Sequence, residues 1–279
     1  MRSHVVIGVL SIQGSFSEHF NAFKNLQRKD CNVEVKLIRC PEDLDDQVLG
    51  LTIPGGESTT ISHFLSKQNF LCHVKKWMAS KPTKFLFGTC AGLIMLSNDV
   101  ENVKEGGQAR IGGLEIVASR NSYGRQRESF EQDIVLKNSQ LINCFGGNTG
   151  LPSFEGVFIR APKIIRITGL NQVQGEFFNQ IHVSNWSLRK TFLWKFWFFC
   201  KMPEYKIPEV GLSIWHYFCK NKILMSNSFL TVLAEKPDGE IVGVLQPPNV
   251  MAITFHPELT DDMRFHNFFI DLILSSKWH

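Results

Sequence analysis

The chain has 279 residues, of which 43% are hydrophobic and 20% charged, as in a globular protein with one large domain or two small ones. Its net charge of +4 is too small to indicate nucleic-acid binding by itself. The seven cysteines, an odd number without zinc-like spacing, predict reduced thiols rather than a disulfide framework. Since no stretch has the pattern of a signal peptide or a membrane span, we expect a cytoplasmic protein without a membrane span.

Short apolar runs alternate with helical segments in the first third of the chain. The sequence predicts strands at residues 5–12, 33–38, 48–53 and 85–87, and helices at about residues 17–27, 58–68, 70–79 and 91–96. This alternation predicts a doubly wound α/β sheet, in which ligands bind at the carboxyl ends of the strands. Gln13, the turn at Gly55 and Gly56, and Cys90 all follow predicted strands, so we expect them at one edge of the sheet.

The pattern changes after residue 113. Strands are predicted at residues 114–119, 129–136, 156–159, 230–234, 241–246 and 250–255, followed by a closing helix at about residues 261–274. Polar turns separate these strands, which indicates an antiparallel portion. The fold class is therefore α/β, with a mixed, mainly parallel, doubly wound sheet and flanking helices.

Residues 170–229 do not follow either pattern. They hold 14 of the 32 aromatic residues, and seven Lys or Arg against three Glu, so the basic excess of the chain is local to them. The aromatic run at residues 191–200 has no clear helical or strand period and is too short to span a bilayer. We predict one domain over residues 1–279, interrupted by an atypical insertion at about 170–229.

Cys90 lies where a predicted buried strand turns into a predicted buried helix. Gly88 and Gly92 flank it, and such small neighbours allow the strained turn of a nucleophile elbow. The first N–H groups of the helix would favour a thiolate and could also hold an oxyanion. The alternative is that Cys90 is a small buried hydrophobic residue, as most free cysteines are.

His256 and Glu258 are two residues apart at a predicted strand end, where alternate side chains face the same way. Glu258 would fix the tautomer of the imidazole, and His256 would take the proton of Cys90. The alternative is an ordinary surface histidine beside a solvated carboxylate.

Three further features bear on a site. Gly55 and Gly56 allow a close backbone approach, with N–H groups for an oxyanion or a carboxylate. Arg120 and Arg160 each interrupt an apolar run, either as partners in structural ion pairs or as a clamp for a substrate carboxylate. The nine histidines are scattered without ligand spacing, so we predict neither a metal nor a cofactor.

Six motifs occur in one order along the chain. They are Gly8-Val-Leu-Ser-Ile-Gln-Gly14, Pro54-Gly-Gly-Glu-Ser-Thr-Thr60, Gly88-Thr-Cys-Ala-Gly92, Arg120-Asn-Ser-Tyr-Gly-Arg125, Phe158-Ile-Arg-Ala-Pro162 and Phe255-His-Pro-Glu-Leu-Thr260. Together they closely resemble the glutaminase subunits of pyridoxal 5′-phosphate synthase, which are class I glutamine amidotransferases. The resemblance covers roughly residues 5–169 and 230–274, and it implies a flavodoxin-like sheet.

The resemblance implies hydrolysis of L-glutamine to L-glutamate and ammonia by a catalytic triad. Cys90 would attack the amide carbon, His256 would act as base and then as acid, and Glu258 would orient the imidazole. The N–H groups of Gly56 and Ala91 would form the oxyanion hole. The implied glutamine-binding residues are Gly55, Gly56, Glu57, Arg120, Ile159 and Arg160.

The resemblance also implies a partner, a β/α-barrel synthase subunit that receives the ammonia. Gln13 matches a position at which that partner is expected to act, and no motif residue is missing. Two other functions stay open. The chain could be a catalytically silent interaction subunit of the same complex, or a glutaminase that serves another ammonia acceptor, such as an imidazole-forming cyclase.

The family pattern lacks residues 170–229, and three interpretations of this segment compete. It is a lineage-specific insertion, an added interaction element, or non-coding sequence translated through an incorrect gene model. If the segment disturbs the adjoining strands, His256 would be misplaced and activity lost.

Overall fold

The computed structural model describes residues 3–80, 83–101, 107–120, 129–144, 150–168 and 230–276. These residues all belong to one structural unit, made of residues 1–168 and 230–279. The predicted insertion at about 170–229 lies outside the described residues, as do residues 121–125 of the motif that begins at Arg120. The predicted domain organisation therefore stays a prediction.

The described residues form twelve strands and six α-helices. They are β1 (Ser3–Leu10), α1 (Phe16–Lys24), β2 (Cys31–Ile38), β3 (Val48–Ile53), α2 (Ser58–Leu65), α3 (Phe70–Met78), β4 (Phe85–Thr89), α4 (Ala91–Leu96), β5 (Ser97–Glu101), β6 (Leu114–Ser119), β7 (Phe130–Leu136), α5 (Ser139–Ile142), β8 (Ser153–Phe158), β9 (Lys163–Ile167), β10 (Thr231–Glu235), β11 (Ile241–Gln246), β12 (Val250–Ile253) and α6 (Arg264–Ser276). Within these ranges no helix is both long and apolar enough to cross a bilayer.

Nine strands form one mixed sheet in the order β2-β1-β3-β4-β12-β11-β10-β7-β8, and β5-β6-β9 form a small second sheet. Neighbouring strands from β2 to β12 pair in parallel, and those from β12 to β8 pair antiparallel. The predicted α/β class with a mixed sheet is confirmed. Among the described strands of the large sheet, parallel and antiparallel pairings are equal in number, and the predicted site residues that follow β1, β3, β4 and β12 belong to the parallel half.

Two hydrophobic cores lie on opposite faces of the large sheet. Strand β1 shows the division, because Val6 and Leu10 point into one core while Val5, Ile7 and Val9 point into the other. Helices α2, α3 and α4 contribute to the first core, and helices α1, α5 and α6 contribute to the second. Both faces of the parallel strands are therefore covered, which explains why these strands are almost continuously apolar in sequence.

The sequence did not predict two of the strands. Strand β5 exposes Asp99 and Glu101, and strand β9 exposes Ile165 and Arg166, so neither has the apolar pattern of a buried strand. Strand β6 was expected in the antiparallel portion, yet it joins β5 and β9 in the small sheet. Register and sheet membership depend on contacts that are distant in the chain, which a local pattern does not encode.

The last strand of the antiparallel half, β8, contacts the chain that follows β12. Three strands separate β12 from β8 in the sheet, yet the N–H of His256, just after β12, donates to the carbonyl of Val157 in β8 at 2.9 Å. The carboxyl end of β8 therefore lies beside the carboxyl ends of the parallel strands.

Arg264 fastens the start of α6 to the chain that enters β8. Its side chain is 1% exposed and pairs with Asp262 at 2.6 Å. The guanidinium also donates to the carbonyls of Leu151 at 2.7 Å and Ser153 at 2.5 Å. The guanidinium of arginine holds its donors in a rigid, planar fork that serves all three acceptors at once.

We predict that Arg264→Met lowers the free energy of unfolding by about 3 kcal/mol, because it leaves a partly buried carboxylate and two carbonyls without their donor. Arg110→Met is the matched control, since Arg110 pairs with the exposed Asp99 at 3.9 Å and should change stability by less than about 1 kcal/mol. Denaturant unfolding measures both variants. Equal stability of the two variants would contradict the prediction.

Candidate active site

Cys90 occupies a strained turn between β4 and α4. Its backbone angles are φ 48° and ψ −104°, a region that residues with a Cβ rarely adopt. The N–H of Cys90 donates to the carbonyl of Ile253 in β12 at 3.0 Å, which ties the turn to the neighbouring strand. At Gly92 a Cβ would lie 2.0 Å from the carbonyl oxygen of Ile53, so only glycine fits there. These contacts define the predicted nucleophile elbow.

His256 lies against the turn that follows β3. A Cβ at Gly55 would come within 2.2 Å of Cε1 of His256, so the imidazole occupies the space that this glycine leaves open. The Nδ1 atom of His256 lies 2.7 Å from Oε1 of Glu258. Both residues are buried, so the alternative of a surface histidine beside a solvated carboxylate is wrong.

His256 hydrogen-bonds to Glu258 and lines the same cavity as Cys90. Burial tends to lower the pKa of His256, but its contacts with Cys90 and Glu258 outweigh burial and raise the pKa to about 10. Burial tends to raise the pKa of Glu258, but the neighbouring histidines outweigh it and hold the pKa well below the usual range. The arrangement favours an imidazolium at His256, next to Cys90.

Two turns meet at the expected oxyanion position. The N–H of Ser15 donates to the carbonyl of Gly55 at 3.2 Å, and the N–H of Glu57 donates to Oε1 of Gln13 at 2.8 Å. Gly56 has φ 149°, an angle that favours glycine. Ala91 begins helix α4, so its N–H has no acceptor within the helix. Gln13 thus holds the turn from which one predicted oxyanion donor comes.

Glu57 pairs with two arginines in the wall of the cavity. Its carboxylate lies 3.1 Å from Nη2 of Arg120 and 3.5 Å from Nη2 of Arg160. Burial opposes ionisation of Glu57, but hydrogen bonds from Thr59 and the charges of both arginines hold its pKa below the usual value. The sequence left two roles open for the arginines, partners in structural ion pairs and a clamp for a substrate carboxylate. The two roles are compatible, because the ion pairs lie in the site itself.

One cavity of about 300 Å³ unites these groups, a size at the lower end of the range for small-molecule pockets. Ten of the eleven predicted site residues line it. They are Gln13, Gly55, Gly56, Glu57, Cys90, Ala91, Arg120, Ile159, Arg160 and His256. Glu258 lies behind His256 and is not part of the lining. The carbonyl of Ile159 lies 3.8 Å from Sγ of Cys90 and places the end of β8 at the reacting atom.

Three polar residues around the cavity carried no signal in the sequence. Ser15, in the cavity wall before helix α1, makes no capping bond and donates to Oε1 of Glu258 at 2.5 Å. His19 lies 3.2 Å from Oε2 of Glu258, and His266 lies 3.0 Å from His19. These contacts join residues 239 to 247 positions apart, so sequence spacing carries no signal for them.

The described ranges contain no group of three or more histidine, cysteine and carboxylate side chains arranged to hold a metal ion. The cavity is lined instead by two arginines, a carboxylate and turns with backbone N–H groups. Such a lining suits a small zwitterion better than a metal centre. The absence of a metal and of a cofactor stays a prediction.

Comparison with known proteins agrees with this site. The model of the SNO glutamine amidotransferase family matches residues 9–183 and 220–275. Residues 184–219, which fall within the predicted insertion, are outside that match. The family match therefore covers both halves of the site, including every predicted site residue.

Several relatives are similar over nearly the whole chain. The probable pyridoxal 5′-phosphate synthase subunit PDX2 of Arabidopsis thaliana is 32% identical, over 96% of this chain and 86% of the relative. The pyridoxal 5′-phosphate synthase subunit PdxT of Thermococcus onnurineus is also 32% identical, over 95% of this chain and 96% of the relative. A crystal structure of a glutamine amidotransferase is similar with a TM-score of 0.61 and 31% identity, over 96% of this chain and 98% of that chain. The chain belongs to the SNO glutamine amidotransferase family and is a glutamine-hydrolysing enzyme.

Proposed function

We propose that Cys90, His256 and Glu258 hydrolyse L-glutamine to L-glutamate and ammonia as a catalytic triad, and that the ammonia serves pyridoxal 5′-phosphate synthesis. The observation that carries the proposal is the buried hydrogen bond between His256 and Glu258, with His256 and Cys90 in the wall of one cavity. These residues supply the nucleophile, base and orienting carboxylate that covalent amide hydrolysis needs.

The reaction would proceed through a thioester. The thiolate of Cys90 attacks the side-chain amide carbon, and the N–H groups of Gly56 and Ala91 stabilise the charge that develops on oxygen. His256 gives its proton to the nitrogen, the carbon–nitrogen bond breaks, and ammonia leaves. A water molecule then attacks the thioester while His256 takes its proton, and the sulfur departs to regenerate Cys90 and release glutamate.

The opposite end of the cavity would hold the amino-acid end of glutamine. Arg120 and Arg160 carry charges that suit the α-carboxylate, and Glu57 carries one that suits the α-ammonium. Gly55 and Ile159 supply the backbone walls beside the side-chain amide. A substrate bound in this way would exchange part of each existing ion pair for a new one, so little charge would be left unpaired.

We further propose a partner, a β/α-barrel synthase subunit, in the cytoplasm. The relatives from Arabidopsis thaliana and Thermococcus onnurineus are named as pyridoxal 5′-phosphate synthase subunits, which supports this partner. Gln13 is suited to respond to docking, because its side chain holds the backbone of Glu57 next to the oxyanion donor Gly56. The five described cysteines are all free, in keeping with a reducing compartment.

We predict that Cys90→Ala reduces glutamate release from glutamine to below about a thousandth of the wild-type rate, because it removes the nucleophile. The measurement is made on the full chain with the barrel subunit of a pyridoxal 5′-phosphate synthase present and absent. Activity of the wild type that rises only with that partner supports the proposed complex. Retained activity in Cys90→Ala would refute the triad, and an inactive wild type would favour the silent interaction subunit.

We predict that Arg160→Met raises KM for glutamine about tenfold or more, with a smaller change in kcat, since a charged hydrogen bond to the α-carboxylate is lost. Arg166→Met is the matched control, because Arg166 is exposed on β9 and does not line the cavity. Steady-state kinetics over a range of glutamine concentrations measures both. An unchanged KM in Arg160→Met would remove this arginine from the proposed substrate site.

We predict that stability falls as the pH rises from 7 to 10. The folded protein keeps the proton of His256 up to about pH 10, whereas the unfolded chain loses it at about pH 6.5. The stabilisation that comes from this proton is therefore complete below about pH 6.5 and is lost as the pH rises through the folded pKa. Glu258→Gln should flatten the decline, because the carboxylate no longer helps to hold the proton. Denaturant unfolding at several pH values tests this, and parallel curves for the two proteins would contradict it.

A further inference from the structure

A buried row of polar side chains continues behind the proposed triad. His19 on helix α1 and His266 on helix α6 are both 0% exposed. The Nε2 atom of His19 lies 3.2 Å from Oε2 of Glu258, and its Nδ1 atom lies 3.0 Å from Nε2 of His266. Neither histidine lines the cavity, so neither can touch the substrate.

The two oxygens of Glu258 have separate surroundings. Oε1 accepts from His256 at 2.7 Å and from Ser15 at 2.5 Å. Oε2 is buried and has no hydrogen-bond partner among the described residues, although Nε2 of His19 lies 3.2 Å from it. A buried carboxylate oxygen without a donor is costly, and the cost favours the protonated, neutral acid. His19 therefore bears on whether the carboxylate stays ionised.

His266 determines which nitrogen of His19 carries the proton. Its own Nδ1 is buried without a hydrogen-bond partner among the described residues, and an unpaired lone pair costs less than an unpaired N–H there. The proton of His266 then lies on Nε2 and is donated to Nδ1 of His19. As a consequence, the proton of neutral His19 lies on Nε2, the nitrogen that faces Glu258.

The surroundings of His19 contain few competing charges. Burial first, and then the proximity of His19, lower the pKa of His266 to about 3, so His266 is neutral at physiological pH. From β4, the hydroxyl of Thr89 lies 3.0 Å from Nε2 of His19, and the ring of Phe87 meets it edge-on. Glu258 is therefore the charged group that His19 faces directly, with His256 on the other side of that carboxylate.

We propose that His19 is a positioning residue for glutamine hydrolysis, which keeps its Nε2–H beside Oε2 of Glu258 and so leaves Oε1 to orient His256. The proposal rests on the triad roles proposed above. His19 lies on the first helix, whereas the three proposed triad residues follow β4 and β12. His266 acts one step further away, by fixing the tautomer of His19.

Two amide substitutions separate this role from simple space filling. In His19→Gln the amide nitrogen takes about the place of Nε2 and can still donate to Glu258. In His19→Asn the shorter amide takes about the place of Nδ1, so it can reach His266 but not Glu258. His63→Gln on the exposed face of α2 is the matched control. All are assayed as the full chain, with the barrel partner, beside wild type and Cys90→Ala.

We expect His19→Asn to lower kcat roughly tenfold or more with little change in KM, as is typical when an orienting partner is lost. The acidic limb of its kcat against pH should move to higher pH, because Glu258 is more easily protonated without its donor. His19→Gln should recover most of kcat and the wild-type pH limb, and His63→Gln should equal wild type.

Equal losses in the Asn and Gln variants, or a wild-type kcat and pH profile in His19→Asn, would overturn the proposal. Thermal unfolding shows whether each variant is folded. If His19→Asn does not fold, His266→Phe decides, since its ring would lie among Phe23 and Phe87 while the donor to His19 is lost. A lower kcat with unchanged KM supports the proposal, and a wild-type kcat overturns it. An inactive wild type or an active Cys90→Ala would instead refute the triad.

Discussion

The ionised carboxylate of Glu258, buried between helices and strand ends, is the feature on which the site depends. Burial alone would neutralise it, and an uncharged Glu258 could not hold the proton on His256. Its polar contacts come from the loop after β1, from helix α1 and from the turn after β12. Correct packing of these three chain segments is therefore a condition for the charge, and the charge is a condition for the chemistry.

The parallel half of the sheet brings these segments together. Strands β1, β3, β4 and β12 end at one edge, so the turns that follow them converge although they are far apart in the chain. The antiparallel half adds the remaining wall, because the N–H of His256 bonds to Val157 in β8 and brings Ile159 to the sulfur of Cys90. Arg264 holds the entry to that wall in place from the start of α6. The substrate end of the cavity thus depends on packing outside it.

Local patterns were sufficient for the central elements and for the groups that line the cavity. The strands Val48–Ile53 and Ile241–Gln246 have the predicted bounds, since a buried apolar run ended by glycine or a polar turn is visible in sequence. The motifs, through their resemblance to one family, supplied the site residues. The support behind Glu258 was not predictable. His19 is one of several buried positions on an amphipathic helix, and its chemical neighbours are set by packing with the last helix, 247 residues away.

The strained turn at Cys90 has a consequence for how this enzyme tolerates change. A residue with a Cβ at φ 48° and ψ −104° costs about 1–3 kcal/mol, and the bond to Ile253 and the missing side chain at Gly92 keep it there. Glycine at position 90 would adopt the same angles without that cost. Selection for thermal stability alone would therefore replace the cysteine that we propose as the nucleophile. The enzyme thus keeps this cysteine at a cost in stability. Libraries of this fold that are selected for stability should enrich inactive sequences with glycine at position 90.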